Sequence, residues 1–96
     1  MRLKSRGLIN HKLVGSYMDL RQLFATNLRR IRHERKISQE GLAHDAGVDR
    51  AYLSRVERGV THVGLEIIGR LAKVLEVDPA EFFRKPTRSA GRKKAD

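Results

Sequence analysis

The chain has 96 residues, with 21 Lys or Arg against 11 Asp or Glu, and its formal net charge is +10. This length indicates one small domain with tails, and this charge favours nucleic acid or an anionic membrane surface as the partner. Because there is no cysteine, a disulfide scaffold, a cysteine-ligated zinc site and a thiol nucleophile are excluded. No apolar run approaches the roughly 18 residues of a membrane span, and the N-terminus lacks the features of a secretion signal.

The excess positive charge is concentrated at the two ends of the chain. Residues 1–18 contain four basic and no acidic residues, and residues 84–96 contain six basic residues and one acidic residue. Nine of the ten excess charges therefore lie at the ends. We expect a basic N-terminal arm over 1–18, either disordered or partly helical, an ordered domain over 19–84, and a basic disordered tail over 85–96. These ends are either solvated chain or contacts to phosphates.

The first helix is predicted over about 20–35, where apolar residues recur on one helical face. That face is formed by Leu20, Leu23, Phe24, Leu28 and Ile31. Asp19 fits an N-cap, and Gln22 fits the residue that closes a capping box. Basic residues crowd the end of this helix, where cations interact favourably with the helix dipole.

Two short helices joined by a tight turn are predicted next. Ser38 is the cap of a helix over about 39–46, and Gly47 marks its end because glycine accepts a left-handed backbone. Asp49 is the cap of a third helix over about 50–58.

Two further helices complete an all-α prediction of five short helices. The fourth covers about 65–76, with only Gly64 in the cap position, and the fifth covers about 79–84, with Asp78 as its cap. No segment alternates with the period of two that a strand requires. Such a small domain is marginally stable alone, which favours a dimer. Some apolar residues of this part are therefore expected either at a subunit contact or in the core: Ile67, Val74, Val77, Phe82 and Phe83.

The most informative segment is SQEGLAHDAGVDRAYLSRVERG, residues 38–59. Two helices that cross steeply through a short turn need a small residue at their closest approach and a residue that tolerates positive φ. Ala43 and Gly47 meet these needs. The segment resembles the Cro and phage-repressor type of helix-turn-helix, also called the xenobiotic-response-element type. The resemblance implies a lambda-repressor-like DNA-binding domain with its helix-turn-helix at helices 2 and 3.

The resemblance covers about 20–83 and has two departures. Gly41 replaces the usual acidic residue and costs about 1 kcal/mol of helix propensity relative to alanine. His-Val-Gly at 62–64 replaces the usual Asn-Pro-Ser/Thr-like entry to the fourth helix. In addition, DRAYLS at 49–54 is similar to the controller proteins of restriction–modification systems.

The resemblance implies that the helix over about 50–58 enters the major groove, with its N-terminal residues toward the base edges. The implied base contacts are Arg50, Ala51, Ser54 and Arg55. Phosphate contacts are expected at Gln39, Tyr52, Arg58, Arg35 and Lys36. Arg32 and Glu57 match a partly buried, structural ion pair of the family. Arg50 and Arg55 suit bidentate hydrogen bonds to guanine, and the alternative for both is solvated surface or phosphate contact alone.

We therefore predict a homodimeric, sequence-specific transcriptional regulator that binds a palindromic operator in double-stranded DNA. It would reside in the cytoplasm, associated with the nucleoid, without a membrane partner. The main alternative is an antitoxin-like or other protein-interaction module with the same fold, but such a module would show an apolar or acidic recognition face. A third possibility is that the tails alone bind RNA or a membrane surface.

Enzymatic activity is not expected. The sequence contains no glycine-rich phosphate loop, no cysteine nucleophile and no convincing pair of acidic residues. Its four histidines have none of the spacings of a metal site. These histidines are His11, His33, His44 and His62. We expect no metal, no cofactor and no small-molecule ligand.

Overall fold

The computed structural model describes residues 20–85, and every regular element within them is helical. The elements are α1 over 20–34, α2 over Gln39–Ala46, α3 over Arg50–Arg58, α4 over Leu65–Leu75 and a 3-10 helix over Pro79–Phe83. The predicted all-α class is confirmed for this part of the chain. The fifth helix, predicted over about 79–84, is present as a short 3-10 helix. The predicted arm over 1–18 and most of the predicted tail lie outside the described residues.

The helix starts follow the local sequence. Ser38, Asp49 and Asp78 each accept a hydrogen bond from a backbone N–H in the first turn of the helix that they precede. Gly64 offers no side chain, and α4 begins without a side-chain cap. Asp19, the predicted cap of α1, lies outside the described residues. Gln22 was predicted to close that cap, but its amide donates to the carbonyls of Arg58 and Gly59 at the end of α3.

All four α-helices end in the same backbone arrangement. Each is followed by a residue with positive φ, and the next backbone N–H then bonds the carbonyl five residues earlier. Glycine serves this purpose after α2 and α3, where the φ values of Gly47 and Gly59 are both 72°. Lys36 and Glu76 do so after α1 and α4, with φ values of 56° and 54°. These two residues carry a Cβ atom in a conformation that favours glycine.

One hydrophobic core joins all five helical elements. α2 packs against both α3 and α4, and the 3-10 helix packs against α4. Phe82 is fully buried, and its ring meets that of Phe24 edge-on at a centroid distance of 5.0 Å. Phe82 was expected either in the core or at a subunit contact, and its burial places it in the core. Ile67, Val74 and Val77 are half-buried against it, and Phe83 stays partly exposed.

A buried asparagine secures the C-terminal part of the fold. Asn27 lies on α1, and its side-chain amide donates to the backbone carbonyls of Phe82 and Arg84, both at 2.9 Å. These bonds attach the 3-10 helix to α1 across more than 50 residues of sequence. A single asparagine within an otherwise regular helix carried no sequence signal for this role.

Candidate nucleic-acid interface

The outer face of α3 presents the residues that were predicted to read bases. Leu53, Val56 and Glu57 are buried on the inner face of this helix. Arg50, Ala51 and Arg55 are exposed, and Ser54 is half-buried. Arg50 and Ser54 are four residues apart, as are Ala51 and Arg55, so the four form two adjacent rows on one side of the helix. The structure thus brings all four together on a surface strip, which we call the α3 strip.

The residues predicted to contact phosphates are less uniform in their surroundings. Arg58 and Lys36 are exposed. Tyr52 is half-buried against the core, and its hydroxyl donates to the backbone carbonyl of His62 at 3.2 Å. Arg35 donates to the carbonyl of Glu76 at 3.2 Å and so joins the ends of α1 and α4. Both Tyr52 and Arg35 therefore have structural contacts within the chain.

A buried ion pair joins α1 to α3. Arg32 donates from Nε to Glu57 Oε2 at 2.6 Å and from Nη2 to Glu57 Oε1 at 3.0 Å. The two side chains are only 11% and 4% exposed. Arg32 Nη1 also donates to the carbonyl of Ile37 at 3.0 Å, and Arg29 donates to the backbone carbonyl of Glu57. A bidentate pair of this kind holds α3 in a fixed position against α1.

Gln39 lies between this ion pair and the α3 strip. Its Nε2 atom donates to Glu57 Oε1 at 3.0 Å, and its Oε1 atom accepts a hydrogen bond from Arg50 Nε at 3.3 Å. The guanidinium of Arg50 also lies 3.7 Å from Glu40 Oε1. Sequence reasoning assigned Gln39 to a phosphate and missed these contacts. No local sequence signal pointed to them, because they depend on how α2 packs against α3.

Neither a metal-binding cluster nor a membrane-spanning helix is found within the described residues. Within 20–85 there is no group of three or more His, Cys, Asp or Glu side chains that would hold a metal ion. Each helix in this range is too short or too polar to span a bilayer.

An apolar groove of about 380 Å³ lies apart from the α3 strip, between α1, the segment before α4 and the 3-10 helix. It is lined by Leu20, Arg21, Phe24, His62, Val63, Ile68 and Phe83.

Comparison with known proteins identifies the family. The family model HTH_3, described as helix-turn-helix, matches residues 28–82. The chain belongs to this helix-turn-helix family. This is the Cro and phage-repressor type expected from the motif, a family of DNA-binding transcription regulators and not of enzymes.

Relatives of this helix-turn-helix protein include restriction–modification controllers. It is similar to control protein C.BamHI of Bacillus amyloliquefaciens, with 38% identity over 66 residues that cover 68% of this chain and 82% of that protein. It is 39% identical to control protein C.SmaI of Serratia marcescens over 59 residues, covering 62% of this chain and 70% of that protein. The structure of controller protein C.AhdI from Aeromonas hydrophila matches with a TM-score of 0.62 and 43% identity, covering 64% of this chain and 92% of that one. The resemblance to controller proteins is therefore confirmed.

Proposed function

We propose that this helix-turn-helix protein is a sequence-specific regulator that binds an operator in double-stranded DNA. In this proposal, α2, the turn at Gly47 and α3 form the helix-turn-helix, and α3 lies in the major groove. The observation that carries it is the α3 strip, in which two arginines and one alanine are exposed on a helix that is fixed from behind by a buried ion pair. A module that binds protein through this face would need apolar or acidic side chains there.

The α3 strip suits direct reading of bases. Arginine forms bidentate hydrogen bonds with guanine O6 and N7, and an alanine methyl group fits beside the methyl group of thymine. The exposed side chain of Arg55 makes no hydrogen bond or ion pair with the described residues, so its whole guanidinium is available to a base. Each bidentate contact contributes about 1–3 kcal/mol of discrimination between bases. Arg50 and Arg55 therefore account for recognition of two guanines in each half-site.

Phosphate contacts at the edges of this surface would supply the remaining affinity. Lys36 and Arg58 are exposed at the ends of α1 and α3. Such contacts bind without regard to sequence and release counterions, so they weaken as the salt concentration rises. The basic ends of the chain would add to this salt-dependent, sequence-independent affinity.

Dimer formation would use the apolar groove. Leu65, two residues after the groove residue Val63, is 86% exposed, and Phe83 is 38% exposed. Gly69 lies one turn after Leu65, and a Cβ atom built there meets nothing within 4 Å. An exposed leucine and a helical glycine on one face suit close approach by a second copy. Two copies related by a two-fold axis would read half-sites about one helical turn apart, which is a palindromic operator.

The dimer face is tested by sedimentation of single variants. Leu65→Glu introduces a charge at the proposed contact and should shift the protein toward the monomer. Thr26→Glu is the matched control, because Thr26 is exposed on α1 and not on α4, the helix that carries Leu65 and Gly69. A dimer that is unaffected by Leu65→Glu would exclude this face as the contact.

The function is tested by selecting bound duplexes from a random DNA pool at near-physiological salt. The wild type should enrich a two-fold symmetric motif, and Arg50→Ala/Arg55→Ala should lose it while keeping salt-sensitive, non-specific binding. Binding without an enriched motif, unchanged in the double variant, would refute direct reading by α3. That result would favour binding through the tails or a protein partner instead.

A further inference from the structure

One side of α1 carries three polar side chains that all bond to the end of α3. Gln22, Arg29 and Arg32 are seven and three residues apart, so they lie on the same side of the helix. Arg32 bonds the carboxylate of Glu57. Arg29 donates to the backbone carbonyl of Glu57, and Gln22 donates to the next two carbonyls, at 3.3 and 3.4 Å. Gln22 and Arg29, which we call the α1 clamp, therefore hold three consecutive carbonyls at the end of α3.

The α1 clamp fixes the backbone of α3 where buried side chains no longer do so. Leu53, Val56 and Glu57 are buried, but Arg58 is exposed and Gly59 has no side chain to pack. The ion pair of Glu57 holds its carboxylate, which several rotatable bonds separate from the backbone. A hydrogen bond to the carbonyl of the same residue acts on the backbone itself. The partial negative charge at the carbonyl end of a helix also favours a guanidinium there.

The glycine that follows α3 leaves room for the clamp. A Cβ atom at position 59 would overlap the side-chain amide of Gln22. The positive φ of Gly59, 72°, already favours glycine, so this residue serves both the end of the helix and the clamp. A larger residue at this position would push Gln22 away from the carbonyls that it bonds.

The clamped end of α3 is the end that matters for Arg55. The helix begins at Arg50, directly after the turn from α2, which packs against it. Arg55 lies five residues further along, about 7.5 Å at the usual rise per residue. A tilt of about 8° around the start of the helix would move the backbone of Arg55 by about 1 Å and that of Arg50 hardly at all. Bidentate hydrogen bonds tolerate only about 0.5 Å of misplacement.

We infer that Gln22 and Arg29 are positioning residues that set the angle of α3 in the major groove, and that Arg55 is the base-reading side chain that depends on them. This inference rests on the proposed reading of DNA by α3. It gives α1 a part in base selection, although α1 does not enter the groove in that proposal. A phosphate contact by Arg29 would instead strengthen binding to every sequence alike.

The test uses the whole chain and three variants of the clamp, Gln22→Met, Arg29→Met and Arg29→Lys. The two guanines are first located as the positions whose enrichment Arg50→Ala and Arg55→Ala abolish. Affinity is then measured for the selected operator, for the operator with either guanine replaced, and for a random duplex. Lys73→Met controls for the loss of one positive charge, because Lys73 is exposed on α4.

Arg29→Met should lower the preference for the guanine read by Arg55 about 3- to 10-fold, part of the roughly 5- to 150-fold that one bidentate contact supplies. The preference for the guanine read by Arg50 should stay within about 1.5-fold, because the start of α3 barely moves. Gln22→Met removes longer bonds and should lower the first preference about 2- to 3-fold. Arg29→Lys keeps the charge and a donor and should retain most of that preference.

Lys73→Met should leave both preferences intact. Each preference is a ratio of two affinities of one preparation, so partial unfolding of a variant cancels.

Three results would overturn the inference. An equal loss of affinity for all duplexes in Arg29→Met would make Arg29 a phosphate contact. Unchanged preferences in both Arg29→Met and Gln22→Met would leave the clamp a role in stability alone. Equal decreases at the two guanines would show that the clamp does not act on the end of α3. Failure of the proposed function would also remove the inference, but with a different result, because the wild type itself would then enrich no motif.

Discussion

Replacing Arg32 by methionine leaves the carboxylate of Glu57 buried with one remaining side-chain partner, Gln39. Breaking a buried pair in this way costs about 3–5 kcal/mol, because an uncompensated charge stays in the interior. A domain the size of the described region, residues 20–85, has a total stability of about 3–10 kcal/mol. Arg32→Met should therefore remove a large part of the stability and unfold much of the protein at room temperature.

Removing both charges should be far less damaging. Buried ion pairs replaced by apolar residues of similar volume are often neutral in their effect on stability. The carbonyl of Ile37 and the amide of Gln39 would each lose a partner, so we expect Arg32→Met/Glu57→Met to lie within about 2 kcal/mol of the wild type. Glu57→Met alone should fall between the two, because Arg32 keeps its bond to Ile37 and is the more exposed partner.

Urea unfolding followed by far-ultraviolet circular dichroism measures these differences. Glu34→Met is the control, since the ion pair of Glu34 with Arg30 is exposed and should contribute less than about 1 kcal/mol. The reasoning would be refuted if the double variant were less stable than Arg32→Met, or if its decrease in unfolding free energy equalled the sum of the two single decreases. Such additivity would mean that the cost comes from packing and not from an isolated charge.

Three further predictions concern single residues. Asn27→Ala removes one buried and one part-buried hydrogen bond and should lower the free energy of unfolding by about 1–3 kcal/mol. A decrease below about 0.5 kcal/mol in urea would contradict the proposed role. Glu76→Gly relieves a positive φ and should raise the free energy of unfolding by about 1 kcal/mol. Lys73→Gly, inside α4, should lower the same free energy by a similar amount. Lys36→Ala should reduce the salt slope of DNA binding by about one without altering base preference, and a changed preference in the selected motif would disprove a phosphate role.

The sequence by itself determined the elements that depend on near neighbours. Apolar spacing, the caps at Ser38 and Asp49, and the glycines at 47 and 59 predicted α1 to α4 to within one or two residues. These signals work because a helix is made of contacts between residues three or four apart. The same pattern carried the resemblance that the family comparison confirmed.

The tertiary structure alone decided which side chains meet across the chain. It placed Phe82 in the core, attached the 3-10 helix to Asn27, gave Tyr52 and Arg35 partners, and set Gln39 between Glu57 and Arg50. The residues in these contacts are between 10 and 57 positions apart. Their meeting depends on how whole helices pack, and one sequence contains no local signal for that. The type of each residue therefore indicated what chemistry was available, and helix packing decided where that chemistry acts.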